Sequence, residues 1–164
     1  NKINVINPGG AADMDAAFRQ GQGHYIQQQG PFPQQLEADG VGHIVAQVGN
    51  QIGPCGFSSV AARGEWLETD MAKAFMRAYG KTRVYMNETP AAVIAKAEKS
   101  YFPDIYESVL ADCIGTYQQL GCWTPHVEIT QSAFEAILDI FEYNGLLKER
   151  YRYEQICVRP PIGN

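Results

Sequence analysis

The 164-residue chain has no cysteine pair at CxxC spacing, no basic cluster outside Lys148 to Arg152, and no apolar run long enough to cross a bilayer. Each shortage removes a class of function. Cys55, Cys113, Cys122 and Cys157 stand alone, with no histidine at metal-ligand spacing, so no metal site is expected. Buried thiols are the expected state, ahead of a disulfide. With a net charge of −5 and scattered Lys and Arg, a nucleic-acid surface has nothing to build on. The first residues, Asn-Lys-Ile-Asn-Val, lack the charged and apolar regions of a signal peptide. A chain beginning at Asn1 reads as processed, trimmed or excised.

Catalytic constellations are missing as well. His24, His43 and His126 are far apart, and none lies near a Cys or carboxylate at a spacing that marks a dyad. Gly56-Phe57-Ser58-Ser59-Val60 departs from the Gly-x-Ser-x-Gly elbow, so a serine hydrolase is unsupported. Asp13 and Asp15 suit a helix dipole better than acid–base work. No catalytic residue and no cofactor is expected, and the chain reads as a non-enzyme.

What is present is a chain able to fold, 45% apolar and 11% aromatic. Ile3, Val5 and Ile6 make a short β-favouring run that Pro8-Gly9-Gly10 breaks, and Ala11, Met14, Ala17 and Phe18 then recur at helical spacing. A second strand is expected from His24 to Gln29, stopped by Gly30-Pro31-Phe32-Pro33, then a short helix from Gln34 to Ala38 and a third strand from His43 to Val48. Alternating strands and helices predict parallel β-α-β units with a ligand crevice beyond the strand ends.

From Trp66 to about Tyr143 helical signals dominate. Thr69 caps a helix through Met71, Phe75, Met76 and Tyr79, and Thr89-Pro90 opens another over Ala91 to Ala97. Asp104 and Glu107 form a capping box before the stripe Val109, Leu110, Cys113, Ile114, Tyr117, Leu120. Thr130 opens a helix that buries Phe134, Ile137, Leu138 and Phe141. Three strands cannot cover four such faces, so the faces holding Phe75, Met76, Ile114, Tyr117, Phe134, Ile137 and Phe141 call for a partner: each other, a second copy in a homodimer, or a missing N-terminal lobe.

The two strand-end turns offer backbone donors, amides and aromatic walls, the mixture a small-molecule cleft needs. The ligand-binding candidates are Asn7, Gly9, Gly10, Ala11, Gln29, Gly30, Pro31 and Phe32, with Phe57 from the Gly53 to Ser59 crossover. Core packing is the competing reading for Phe32 and Phe57. Carboxylates at Asp13 and Asp15, and no Lys or Arg in either turn, favour a neutral or cationic ligand such as an aromatic heterocycle over sulfonate or nitrate.

The order Gly-Gly-Ala-Ala-Asp-Met-Asp-Ala-Ala-Phe from Gly9, His-Tyr-Ile-Gln-Gln-Gln-Gly-Pro-Phe-Pro from His24, and Gly-Pro-Cys-Gly-Phe-Ser-Ser from Gly53 resembles the second half of an ABC-transporter substrate-binding protein of the nitrate/sulfonate/taurine and thiamine-precursor type. Trp66-Leu67, Ala74-Phe75, Ala78-Tyr79, Tyr117 to Trp123 and Gly145-Leu146-Leu147 extend the resemblance over essentially the whole chain. It implies an α/β fold: residues 1–54 as the parallel-sheet second lobe of a type II periplasmic binding protein, and residues 55–164 as crossover plus helices that pack on the first lobe. It further implies a periplasmic or extracellular membrane-associated protein that captures a small molecule, such as a thiamine-pyrimidine precursor, for the membrane subunits of an ABC importer. Two alternatives stay open: a pyridoxal-cofactor-dependent pyrimidine-forming enzyme of thiamine biosynthesis, and a helical protein-interaction domain.

Overall fold

A computed structural model describes residues 3–161. In order along the chain come α1 (Ala11–Arg19), α2 (Phe32–Ala38), α3 (Gly49–Ile52), α4 (Gly64–Leu67), α5 (Asp70–Glu88), α6 (Ala91–Glu98), α7 (Glu107–Gln119), α8 (Gln131–Tyr143) and α9 (Tyr153–Ile156), with a 3-10 turn at Lys99–Tyr101. The expected α/β architecture is overturned, because no strand occurs among the described residues and the parallel-sheet lobe is absent from them. A strand is defined by its neighbour: its N–H and C=O groups need a second extended segment, and β-favouring residues alone do not supply one. Here the expected strands run as irregular chain, and the third passes into the short helix α3. Side chains take over part of the pairing, as where Glu37 Oε1 accepts the Ile44 N–H at 3.0 Å.

The helical expectations fare better because their signals are local. Thr69 and Thr130 sit at the N-caps of α5 and α8, their hydroxyls accepting from Ala72 N and Ala133 N, each at 3.2 Å. Some boundaries move, and α2 begins at Phe32 rather than Gln34. Thr89 closes α5 and Pro90 takes the N-cap of α6, while α7 starts at Glu107, three residues after Asp104.

The chain divides into two compact units, one built from Asn1–Ala46 and Pro90–Thr116, the other from Gln47–Thr89 and Tyr117–Asn164. In the first, Leu36, Ile94, Ala95, Val109, Leu110, Cys113 and Ile114 are buried. Gln35 is the buried polar side chain there. Its Oε1 accepts the Tyr106 N–H at 3.2 Å and its Nε2 donates to Asp39 Oδ1 at 2.8 Å, so both ends are satisfied and α2 is fixed to the start of α7.

In the second unit Ala72, Met76, Phe134, Ile137 and Leu138 are buried. Phe134 meets Tyr153 edge-on at 5.7 Å between ring centroids, and the Tyr153 hydroxyl donates to Ile129 O. Arg83 crosses from α5 to Thr124, donating to its carbonyl at 3.0 Å and its hydroxyl at 3.1 Å. Gln118 Nε2 donates to Met86 O at 2.7 Å and Thr89 O at 2.9 Å, closing the end of α5. Beyond α8, Arg150 holds three of that helix's carboxylates at once: Glu135 at 2.8 Å, Asp139 at 2.6 Å and Glu142 at 2.7 Å.

Of the seven apolar residues that called for a partner, Met76, Ile114, Phe134 and Ile137 are buried within the chain. Tyr117 and Phe141 are half-buried, and Phe75 is exposed between Trp66 and Tyr79. Aliphatic side chains of the expected strands are open as well, and Ile3, Val5 and Val45 stand in solvent. The four cysteines form no disulfide; Cys113 is buried, Cys55 and Cys157 half-buried, Cys122 exposed.

Candidate functional site

The first candidate turn is shaped by its own helix. Gly9 adopts φ +136°, a backbone angle that favours glycine, and a Cβ there would lie 2.5 Å from Asp13 Oδ2, so a larger residue would also have to displace that carboxylate. Gly10 is the N-cap of α1, and its N–H donates to Asp13 Oδ2 at 2.9 Å. A carboxylate from the third helical residue thus occupies the donor that an anionic ligand would seek. Asn7, Gly9, Gly10 and Ala11 are exposed.

The second turn leads into α2. Gln29 O accepts the Phe32 N–H at 3.3 Å, Pro31 O accepts the Gln35 N–H at 3.0 Å, and the Gly30–Pro31 peptide is cis. Gln29 is exposed, while Gly30, Pro31 and Phe32 are half-buried. One bond brings the two turns together: Gln28 Nε2 donates to Ala11 O at 2.8 Å. Farther along the helices, Arg19 links Asp15 Oδ2 at 2.7 Å to Asp39 Oδ2 at 2.8 Å, so α1 and α2 are tied at both ends. The hydrogen bond that Arg19 donates to Asp15 is the largest influence raising the Arg19 pKa, against an opposing effect of burial, and Asp39 adds to the rise. This cation is spent on the chain's own carboxylates.

Eight of the nine candidates therefore belong to one unit and cluster on two joined turns. Phe57 belongs to the other unit, where it is 69% exposed. Its segment is pinned locally, the Gly56 N–H donating to Ala133 O at 2.9 Å, and a Cβ on Gly56 would crowd Ile129 Cγ2 at 3.2 Å.

Three residues that organise the turns were not singled out as site residues from the sequence: Asp13, which closes the first turn, Gln28, which joins it to the second, and Asp15, which holds Arg19. The run Gln27-Gln28-Gln29 carries no signal for which amide turns inward. Asp13 stands three residues after Gly10, the spacing at which a carboxylate reaches back to an N-cap N–H, and that was a usable clue.

Among the described residues no group of three or more His, Cys, Asp or Glu could hold a metal ion. His43 lies 3.8 Å from Glu37 and His126 3.8 Å from Glu128, both on the surface. No helix among the described residues is long and apolar enough to cross a membrane.

The chain is similar to a Bacillus subtilis (strain 168) protein described as "Putative binding protein YtlA", with 27% identity over 156 residues. The match covers 94% of this chain and 47% of that protein, so the chain spans about half the length of this curated relative. No family model matches the chain. No solved structure matches it.

Proposed function

We propose that the chain is a ligand-capturing part of an importer's substrate-binding protein, and that it holds a small neutral or cationic heterocycle at the two joined turns. The observation that carries this reading is the Gln28 Nε2 to Ala11 O bond at 2.8 Å, which sets Gly9, Gly10 and Ala11 beside Gln29, Gly30, Pro31 and Phe32. Backbone groups, an amide and an aromatic ring are then available within one unit, and the proposal is confined to that unit. Similarity to a protein described as a binding protein supports a binding role. The ligand's charge follows from Asp13, whose carboxylate already takes the Gly10 N–H and would repel a second anion.

In this reading the biological partners are the small molecule and the membrane subunits of an ABC importer, with the protein at the outer face of the membrane. Calorimetric titration with the hydroxymethyl aminopyrimidine of thiamine, taurine and nitrate tests the ligand. Binding of the pyrimidine alone is expected. Tight binding of taurine or nitrate alone would refute the proposed charge, and no binding of any of the three would refute the assignment.

A further inference from the structure

Helix α5 carries apolar residues on two of its sides. One side buries Ala72 and Met76 in the second unit, and a helix of that kind ordinarily turns a charged face to water. Here the sequence supplies something else. Met71, Ala74, Phe75, Ala78, Thr82 and Tyr85 recur at spacings of three and four residues, so they form one continuous stripe about 21 Å long, and all six are exposed. None carries a charge. Even the Thr82 hydroxyl is spent on its own helix, donating to Ala78 O at 3.0 Å. Single exposed apolar residues need no explanation, but a contiguous stripe marks an interface. Its aromatic part is also held in place. Phe75 lies between Trp66, edge-on at 6.0 Å, and Tyr79, stacked at 6.3 Å, and Arg83 sits 5.6 Å over the Tyr79 ring while donating to Thr124. A surface already ordered loses little freedom on binding.

We propose that this face of α5 docks an acidic amphipathic helix of another protein, whose apolar residues cover the stripe and whose carboxylates lie beside Arg77 and Lys81. The charge argument comes from the edge of the stripe. Arg77 and Lys81, one turn apart and both exposed, run along that edge, three residues beyond Ala74 and Ala78. Neighbouring cations are occupied, Lys73 by Asp70 at 3.0 Å and Arg83 by Thr124, whereas Arg77 and Lys81 have no ion pair with any described residue in a chain of net charge −5. They are free to meet carboxylates from outside. Shape selects a helix over a bilayer: Ala74, Ala78 and Thr82 keep the middle of the stripe low between Met71 and Phe75 at one end and Tyr85 at the other, so a crossing helix can approach closely. An anionic bilayer would also face the whole chain's excess of carboxylates. A second copy fits less well. Antiparallel pairing about Ala78 sets Arg77 and Lys81 against their own copies, and like charges so placed repel. The docking face goes beyond the ligand reading and is independent of it, since α5 and the two turns belong to different units.

The test uses the 164-residue chain and two labelled helical peptides of about 20 residues. Both peptides carry leucines at i, i+3, i+4 and i+7 on an alanine and glutamine background, and one bears glutamates, the other lysines, along a single edge. Fluorescence anisotropy reads the binding. The wild type should hold the glutamate peptide about tenfold or more tightly than the lysine peptide, and Arg77→Glu combined with Lys81→Glu should reverse that order. Ala78→Arg fills the low centre of the stripe and should remove binding of both peptides, with the melting temperature unchanged because arginine suits an exposed helical position. A marked fall in that temperature would show Ala78 packed within the chain and would sink the proposal. Equal affinity for the two peptides, or no binding of either, sinks it too. Self-association that Ala78→Arg abolishes would assign the face to a second copy, and adhesion to phosphatidylglycerol vesicles without peptide binding would assign it to a bilayer. Either result overturns the acidic helix.

Discussion

Adjacent residues on α6 give the sharpest check of the packing. Ile94 is 1% exposed and Val93 is 52% exposed, so the same helix and the same kind of side chain sit in opposite environments one residue apart. Truncating Ile94 to alanine removes three carbons from the core of the first unit. At about 0.8 kcal/mol per buried methylene the transfer loss is roughly 2.4 kcal/mol, and incomplete collapse around the cavity brings the expected cost to about 3–4 kcal/mol. Val93→Ala removes two carbons already half in water, and alanine is the better helix former, so its net cost is expected to stay below about 1 kcal/mol. Urea unfolding followed by far-ultraviolet circular dichroism reads both, since the described secondary structure is helical. The midpoint should fall steeply for Ile94→Ala and little for Val93→Ala, with the slope unchanged. If Val93→Ala costs as much as Ile94→Ala, the buried face of α6 has been misplaced and the core described for this unit is wrong.

Three further expectations are open to simple measurement. Gly9→Ala forces a Cβ against Asp13 at a backbone angle alanine rarely adopts, and thermal unfolding should register a loss of about 1–3 kcal/mol. Thr69→Ala and Thr130→Ala each remove a helix cap and should cost about 0.5–2 kcal/mol, additively because the caps belong to separate helices; chemical denaturation of the single and double variants checks both points. Local desolvation pushes up the thiols of Cys122, whose residue is exposed as a whole, and of half-buried Cys157, so they stay protonated to higher pH than an ordinary cysteine. Their alkylation by iodoacetamide, followed by mass spectrometry, should be slow near neutral pH and still be climbing above about pH 8.5, and an early plateau would contradict the shifts.

How far the sequence spoke depended on how local each signal was. The Thr69 and Thr130 caps and the spacing of Phe134, Ile137 and Leu138 involve residues within two turns of one another, and all form as the pattern required. The run Ile44-Val45-Ala46 carries equally clear β preference, but a preference for extended backbone becomes a strand only when another segment arrives to pair with it. Nothing in the run itself reports whether one does. At the candidate site, Asp13 could be placed from its distance to Gly10, whereas the union of two turns through Gln28 spans a sequence separation of 17 residues and depends on how α1 and α2 pack. The seven apolar residues on the later helices were read as needing cover. That four of them find it within this chain was beyond what periodicity can say.

Gln118 has a consequence for how the chain could be cut. The backbone passes between the two units three times, after Ala46, after Thr89 and after Thr116. Both units are therefore discontinuous in sequence, and no single truncation isolates either one. Gln118 stands two residues past the third passage, and its amide grips the carbonyl of Thr89, the residue at the second. One side chain thus acts as a rivet on two of the three tethers. A protease nick near Thr89 would leave the severed α5 end clasped by Gln118 and the units still covalently joined through the other two passages, so a nicked chain should migrate as one particle until denaturant releases it.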